Sequence, residues 1–275
     1  MDQAVGPHAS LLSFEGVGKV FRTPHPLRVL EGIDLGVAEA EFASLLGPSG
    51  CGKSTLLNIA AGFELPSEGR ALFRGESILR PGPERAVVFQ EPALFPWLSV
   101  LDNITFSPRL AGRPRREYLP IAEEFVRLVG LAGFERHYPA ELSGGMKQRV
   151  GIARVLIMEP TVLLMDEPFG ALDSQTRSLM QELVLRLWEQ FHQTVLFITH
   201  DVDEALLLSD TVHVMTARPG RIKQRLRIQL PRPRTVDLVT SAEFNDYKRE
   251  LMTAIRDEAL RSAGAGERGS EPAAP

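Results

Sequence analysis

Apolar residues along the chain fall into two patterns. Short continuous runs, Phe42 to Leu46, Ala86 to Phe89, Val162 to Met165 and Val195 to Ile198, are rich in branched and aromatic residues, as strands buried on both faces are. They predict a parallel core sheet. Between them apolar residues recur at helical spacing: Leu56, Leu57, Ile59 and Ala60, then Ala122, Phe125, Val126 and Val129. Leu179, Leu183, Leu187 and Phe191 recur every four residues on one face, behind Asp173 and Ser174 as capping candidates. Alternation of strand and helix predicts an α/β layered fold. From Phe95 to Arg149 there is helical periodicity and no strand run, so a small helical subdomain inserted into the sheet domain is expected. Thr211 to Met215 and Ile222 to Leu230 flank Arg218-Pro219-Gly220-Arg221, whose central proline and glycine predict a type II turn and a hairpin. Phe244, Tyr247, Leu251 and Ile255 mark an amphipathic last helix after Ser241, and from Ala263 the chain is small and polar enough for disorder.

Composition excludes more than it assigns. With 275 residues and 44% apolar content the chain can bury a sizeable core, and no run approaches the roughly 18 apolar residues of a membrane span. The segment Met1 to Pro7 lacks a cationic region followed by an apolar one, so no secretory signal is expected. A formal charge of -4 gives no global basicity for nucleic acid, and a single cysteine allows no intrachain disulfide, which suits a reducing compartment. Positive charge is concentrated locally: residues 218–234 hold seven Arg or Lys and no acid. Arg221, Lys223, Arg225 and Arg227 alternate with apolar residues, which reads as a solvated edge strand blunted by charge, or as a face for anionic lipid.

The chemistry begins at Gly47 to Thr55, Gly-Pro-Ser-Gly-Cys-Gly-Lys-Ser-Thr, which fits G-x-x-x-x-G-K-[ST] between a strand run and an apolar helix. Glycines let successive backbone N–H groups of Ser49, Gly50, Cys51 and Gly52 turn toward an anion, and the following helix adds its positive end. Lys53 is placed for the β- and γ-phosphates of a nucleotide, and Ser54, beside Thr55, for Mg²⁺. No base or acid motif accompanies Cys51 in the sequence and it reads as a spacer, although Lys53 and the helix start would lower its thiol pKa and make it reactive in an empty site. The other histidines, His8, His25, His137, His192 and His213, show no ligand spacing, so no metal beyond Mg²⁺ is expected.

A second glycine-rich helix opening, Leu142-Ser143-Gly144-Gly145-Met146-Lys147-Gln148, resembles the signature of ABC ATPases. Four further segments are similar to motifs of that family: Val88-Phe89-Gln90-Glu91 to the Q-loop, Val162 to Pro168 to the acidic strand end, Gly170-Ala171-Leu172-Asp173 to the D-loop, and Ile198-Thr199-His200-Asp201 to the switch histidine. The resemblance covers roughly residues 10–230, and the six motifs together are specific where each alone is weak. It implies a P-loop NTPase (RecA-like) sheet core with antiparallel β elements: residues 1–93 and 151–240 as ATP-binding core, 94–150 as helical signature subdomain, and 241–275 as C-terminal helix and tail.

The same resemblance implies an ATPase with ATP and Mg²⁺ as ligands. Gly47, Ser49 to Thr55 and Gln90 would bind nucleotide; Ser54, Gln90 and Asp166 would hold Mg²⁺; Glu167 would be the general base and His200 the γ-phosphate switch. Phe21, in Lys19-Val20-Phe21, resembles the A-loop aromatic that stacks on adenine, or is a core residue. Ser143, Gly144, Gly145 and Gln148 would reach the ATP of a partner in a head-to-tail homodimer, with Asp173 in the D-loop. Met146 stands where many ABC chains have glutamine. Gln90 to Val100, Asp102 to Ile104, Tyr138 to Met146, His200 to Ala205 and Arg218 to Ile222 look most like the ATPases of nitrate, sulfonate and taurine importers. That branch implies a separate membrane permease, a periplasmic solute-binding protein met only indirectly, no nucleic acid, and a peripheral location on the cytoplasmic face of the inner membrane. A soluble ABC ATPase acting on nucleic acid or ribosomes is the alternative. Leu94 to Leu98, directly after Gln90, either pack the subdomain or receive a permease helix.

Overall fold

The computed structural model describes residues 10–22 and 24–266, so the expectations for Met1 to Pro7 and for the last nine residues lie outside the described residues. In chain order the elements are β1 (Leu12–Phe21), β2 (Leu27–Val37), β3 (Phe42–Leu46), α1 (Lys53–Ala61), β4 (Glu68–Phe73), β5 (Glu76–Ser77) and β6 (Arg85–Val88). Then come α2 (Val100–Ile104), α3 (Phe106–Leu110), α4 (Arg115–Leu128), α5 (Gly144–Leu156), β7 (Val162–Asp166) and α6 (Ser174–Phe191). The chain closes with β8 (Thr194–Thr199), α7 (Val202–Leu208), β9 (Thr211–Met215), β10 (Ile222–Arg227) and α8 (Ala242–Gly266).

Two compact units result, one from residues 1–81 and 194–275, the other from residues 82–193. The first holds an antiparallel sheet ordered β2-β1-β4-β5 and a second run of strands ordered β10-β9-β3-β8. In the latter β3 pairs in parallel with β8, Phe42 opposite Val195 through Leu46 opposite Thr199, and with β9, Ala43 opposite Thr211 through Leu46 opposite Val214. Every residue of β3, β8 and β9 is buried; β3 and β8 accordingly run largely apolar, whereas β9 buries Thr211 and His213 beside Val212, Val214 and Met215. In β1, by contrast, buried Leu12, Ser13 and Phe14 give way to a more open Glu15 and Gly16 before Val17 and Gly18 are buried again, and the register with β2 shifts between Phe14 and Val17. The second unit holds the parallel pair β6 and β7, Arg85 opposite Val162 through Val88 opposite Met165, together with α2 to α6. The domain limits expected near residues 94 and 150 fall inside this unit.

Three local expectations change. The hairpin between β9 and β10 forms, but Gly220 lacks the positive φ of a type II turn; the Arg218-Pro219 peptide is cis and Thr216 N–H closes the loop onto Arg221 O at 2.9 Å. In α6, Leu183 and Leu187 are buried but Leu179 and Phe191 are exposed, and Met180, Val184 and Trp188 complete the inner face, because a period of four drifts off a 3.6-residue helix. The helix α8 passes Ala263 and runs to Gly266. Its buried residues include Phe244, Leu251, Ala254 and Glu258, and Ser241 caps it through Phe244 N–H at 3.2 Å.

The basic segment is divided among several partners. Although β10 lies at the edge of its sheet, Lys223 binds Glu258 at 2.9 Å and Ala254 O at 2.8 Å of α8, and Arg221 binds Glu31 at 2.8 Å. Further on, Arg232 and Arg234 close the C-terminal end of α7: Arg232 donates to Leu208 O at 2.8 Å, and Arg234 to Leu206, Leu207 and Ser209 O at 3.0, 3.3 and 2.7 Å. Cations there meet the carbonyls a helix end leaves orphaned and the negative end of its dipole. Burial, then the neighbouring Arg232, pushes the Arg234 pKa down to about 10, which still leaves it charged at neutral pH. Among the described residues no helix is long and apolar enough to cross a membrane.

Candidate nucleotide site

The first unit carries the phosphate loop between the buried strand β3 and α1. Gly50 and Gly52 hold φ of 75° and 105°, and Gly52 is the N-cap of α1, so the loop turns sharply into the helix with no side chain on its first N–H groups. Lys53 is 5% exposed and folds back on the loop, donating to Gly47 O at 2.8 Å and Pro48 O at 3.1 Å. Its ammonium is thus already held at the loop by two neutral acceptors, which phosphate oxygens can replace. Ser49, Gly50 and Ser54 are exposed, while Thr55 is half-buried in the first turn. Cys51 is 1% exposed, which corrects the expectation of ready attack: burial closes the thiol off in this conformation although Lys53 Nζ lies 4.0 Å away.

The same unit carries Phe21 and His200. Phe21 ends β1 half-buried, with Lys19 Nζ 5.1 Å from its ring centre and itself bound to Glu64 at 2.7 Å. His200 is exposed beyond β8, and its backbone is set by a frame that its two neighbours build. Thr199 Oγ1 donates to Glu204 at 2.6 Å and accepts Asp201 N–H at 2.9 Å, while Asp201 caps α7 through the N–H groups of Asp203 and Glu204 at 2.8 and 3.1 Å. That frame was missed in the sequence, although an Asp followed by two acids at a helix start was a visible capping signal.

The second unit carries the acidic strand end. Asp166 ends β7 half-buried, and the next residue, Glu167, adopts φ of 43°, left-handed for a non-glycine residue. Such a backbone costs on the order of 1–3 kcal/mol, and residues held that way gather at functional sites. Gly170 N–H bonds Glu167 O at 3.1 Å, and a Cβ on Gly170 would come within 3.0 Å of the Gln90 side chain, so the exposed Gln90 shares this corner. Asp173 caps α6: Thr176 N–H at 3.0 Å and its hydroxyl at 2.7 Å hold the carboxyl below the usual carboxylate range.

The signature opens α5 in the same unit. Ser143 and Gly144 are exposed, and the Ser143 hydroxyl accepts Met146 N–H at 3.3 Å. Gly145 is buried, and a Cβ there would overlap the Thr176 side chain, so this glycine lets α5 and α6 approach. Gln148 points the other way from the role expected of it: it is 2% exposed and donates to Phe89 O at 3.2 Å, one residue before Gln90. Beyond Gln90, Trp97 is 70% exposed, with its ring 5.7 Å from Phe95, itself 4.3 Å from Phe106. The buried Asn103 side chain ties this segment by accepting Phe95 N–H at 2.9 Å and donating to the carbonyls of Phe95, Leu98 and Ser99 at 3.2, 3.0 and 3.0 Å. Among the described residues no three His, Cys, Asp or Glu side chains gather as a metal cage.

Comparison with known proteins bears on both units. The sequence model of a family described as ABC transporter matches residues 30–170. An uncharacterised ABC transporter ATP-binding protein of Methanocaldococcus jannaschii is 49% identical over 252 residues, 91% of this chain and 93% of that one. An aliphatic sulfonates import ATP-binding protein of Bacillus cereus is 44% identical over 242 residues, 88% of this chain and 94% of that one. A bicarbonate transport ATP-binding protein of Synechococcus elongatus is 48% identical over 233 residues, which are 83% of this chain but 35% of that longer protein. Among solved structures, the dimeric post-hydrolysis ATP-binding cassette bound to ADP and Pi superposes with a TM-score of 0.70 at 29% identity, covering 80% of this chain and all (100%) of that one. With the motifs in place and relatives of this closeness over more than four-fifths of its length, the chain belongs to the ABC transporter family, as an ATP-binding subunit with the α/β cassette fold and ATPase activity.

Proposed function

We propose that this subunit hydrolyses ATP to power import of a solute of the nitrate, sulfonate or taurine class through a separate membrane permease, from the cytoplasmic face of the inner membrane. The observation that carries the reading is the 44% identity, over most of both chains, to a protein named for import of aliphatic sulfonates. The relative named for bicarbonate transport supports the same class of small anionic solute. The rival, an ABC ATPase acting on nucleic acid or ribosomes, draws on no specific observation. Co-purification with an integral membrane protein, and ATP-dependent uptake by vesicles holding both, tests the proposal. ATPase stimulated by nucleic acid, with no membrane partner, would favour the rival.

In this reading the chemistry is positioning and charge. The Lys53 ammonium exchanges the carbonyls of Gly47 and Pro48 for β- and γ-phosphate oxygens, one set of acceptors for another. Ser54 of the first unit, and Gln90 and Asp166 of the second, are oxygen donors of the hard type that Mg²⁺ prefers; these residues would hold the ion, which would offset phosphate charge. Glu167 accepts the proton of the attacking water, and His200, on its capped frame, contacts the γ-phosphate and orients that water. Phe21 offers adenine a ring face. The exposed Ser143 hydroxyl and the N–H groups of Gly144 and Gly145 bind the ATP of a second copy in a head-to-tail homodimer, a reading supported by the similarity to a dimeric cassette with a TM-score of 0.71. Trp97, with Phe95 behind it, is the anchor for the permease helix, and the periplasmic solute-binding protein acts through the permease alone.

A further inference from the structure

The phosphate loop is braced from outside by the β9–β10 loop, all within the first unit. Arg218 Nε and Nη2 donate to Gly50 O at 3.3 and 3.1 Å. Two residues on, Gly220 lies against the Cys51 carbonyl so closely that a Cβ would overlap that oxygen. Gly220 is itself anchored to β2, donating to Val29 O at 2.8 Å and accepting Glu31 N–H at 3.0 Å, while Arg221 adds an ion pair with Glu31 at 2.8 Å. On its other flank the loop meets the same strand: a Cβ on Gly52 would lie 2.7 Å from Leu30 Cδ2. Two consecutive carbonyls of the phosphate loop, Gly50 and Cys51, are therefore each faced by a residue of the Arg218-Pro219-Gly220 segment.

A peptide carbonyl and the N–H that follows it point in opposite directions across one rigid plane. Fastening Gly50 O outward to Arg218 turns the Cys51 N–H toward the inside of the loop. That N–H makes a long bond of 3.4 Å to Pro48 O, which an anionic acceptor would readily replace. We propose that Arg218 is a positioning residue for nucleotide binding: it holds the Gly50–Cys51 peptide in the orientation that presents its N–H to phosphate. The proposal deepens the reading of Gly47 to Thr55 as the phosphate loop and rests on it. Arg218 lies outside all six family motifs, nearly 170 residues from the loop it supports.

The test is ATP binding and steady-state hydrolysis by the full chain carrying Arg218→Ala, Arg218→Lys, Gly220→Ala or Lys53→Ala, with a fluorescent ATP analogue as binding probe. Losing these two exposed hydrogen bonds to a single carbonyl predicts about a fivefold rise in Kd and KM for Arg218→Ala, with kcat within about twofold and an unchanged melting temperature, since Arg218 is exposed. Arg218→Lys, which keeps a donor on a long stem, should recover part of the loss. A brace acting through the backbone makes the loss the same at about 50 and 500 mM salt, whereas a direct charge contact to phosphate would fade at high salt. Gly220→Ala should weaken binding further; if it fails to fold, the Arg218 series still decides. Parent affinity in Arg218→Ala, or a loss that disappears at high salt, overturns the proposal. If Lys53→Ala also binds as the parent does, the phosphate-loop reading itself has failed.

Discussion

At the scale of single residues, backbone conformation and burial separate roles that residue type alone leaves level. Glu167 and Asp166 are adjacent carboxylates, yet Glu167 alone holds the left-handed backbone, with φ of 43°. Glu167→Gln should retain ATP binding while turnover falls by on the order of 10² or more, measured as phosphate release at saturating ATP; a decrease under tenfold would remove Glu167 as the base. His213 belongs to stability instead. It sits on β9, 2% exposed, with neither ring nitrogen hydrogen-bonded, and burial, then the charge of Arg225, pushes its pKa down to about 3. The unfolded chain binds the proton at its ordinary value near 6.5, so between about pH 6.5 and 3 unfolding takes up a proton and stability falls as pH falls. Relative to His213→Leu, the parent should lose about 2–3 kcal/mol more between pH 7 and 4.5, read from urea denaturation at both pH values. Equal losses would show that His213 does not titrate in this way. The sequence marked His213 as outside any ligand pattern; only the fold shows that it is sealed among apolar strands.

At the scale of elements, the helix α7 behind His200 owes its ends to groups at very different sequence distances. Its start is local, capped by Asp201, and could be read from Thr199-His200-Asp201-Val202-Asp203-Glu204. Its end is not: Arg232 and Arg234 return from beyond β10 to take the last carbonyls. Arg234→Ala leaves those buried acceptors unmet and should destabilise the subunit by about 3 kcal/mol, seen as a lower denaturation midpoint at unchanged slope. An unaltered midpoint would mean that water replaces the guanidinium. The segment after Gln90 is the other element with a divided role. Because Trp97 is 70% exposed while Phe95 is flanked by Phe106 and Arg154, the pair is not equivalent. Trp97→Ala should keep fold and basal ATPase while abolishing assembly with the permease, assayed by co-purification. Normal assembly and uptake would place the docking surface elsewhere.

At the scale of the whole molecule, each phosphate-directed loop occurs once in the chain, so two complete sites require two copies. The Glu167→Gln subunit, unable to clear its nucleotide, should scatter light as a dimer in ATP and Mg²⁺ and as a monomer without nucleotide; a monomer in both would count against the sandwich. The family, the α/β class and the motif residues were legible in the sequence because their signals are local. A glycine loop closes within nine residues, a buried parallel strand is one apolar run, and a cap sits three residues from the N–H it accepts. Other features depend on which distant segments meet, and no local pattern reports that. Lys53 turned onto Gly47 and Pro48, Gln148 turned inward to Phe89, Cys51 closed off, the acidic partners of the basic 218–234 segment and the Arg218 brace on Gly50 were decided by the tertiary structure. A long cationic side chain reads the same in sequence whether it ends in water, on a carboxylate or on a carbonyl, and only packing fixes which acceptor it reaches.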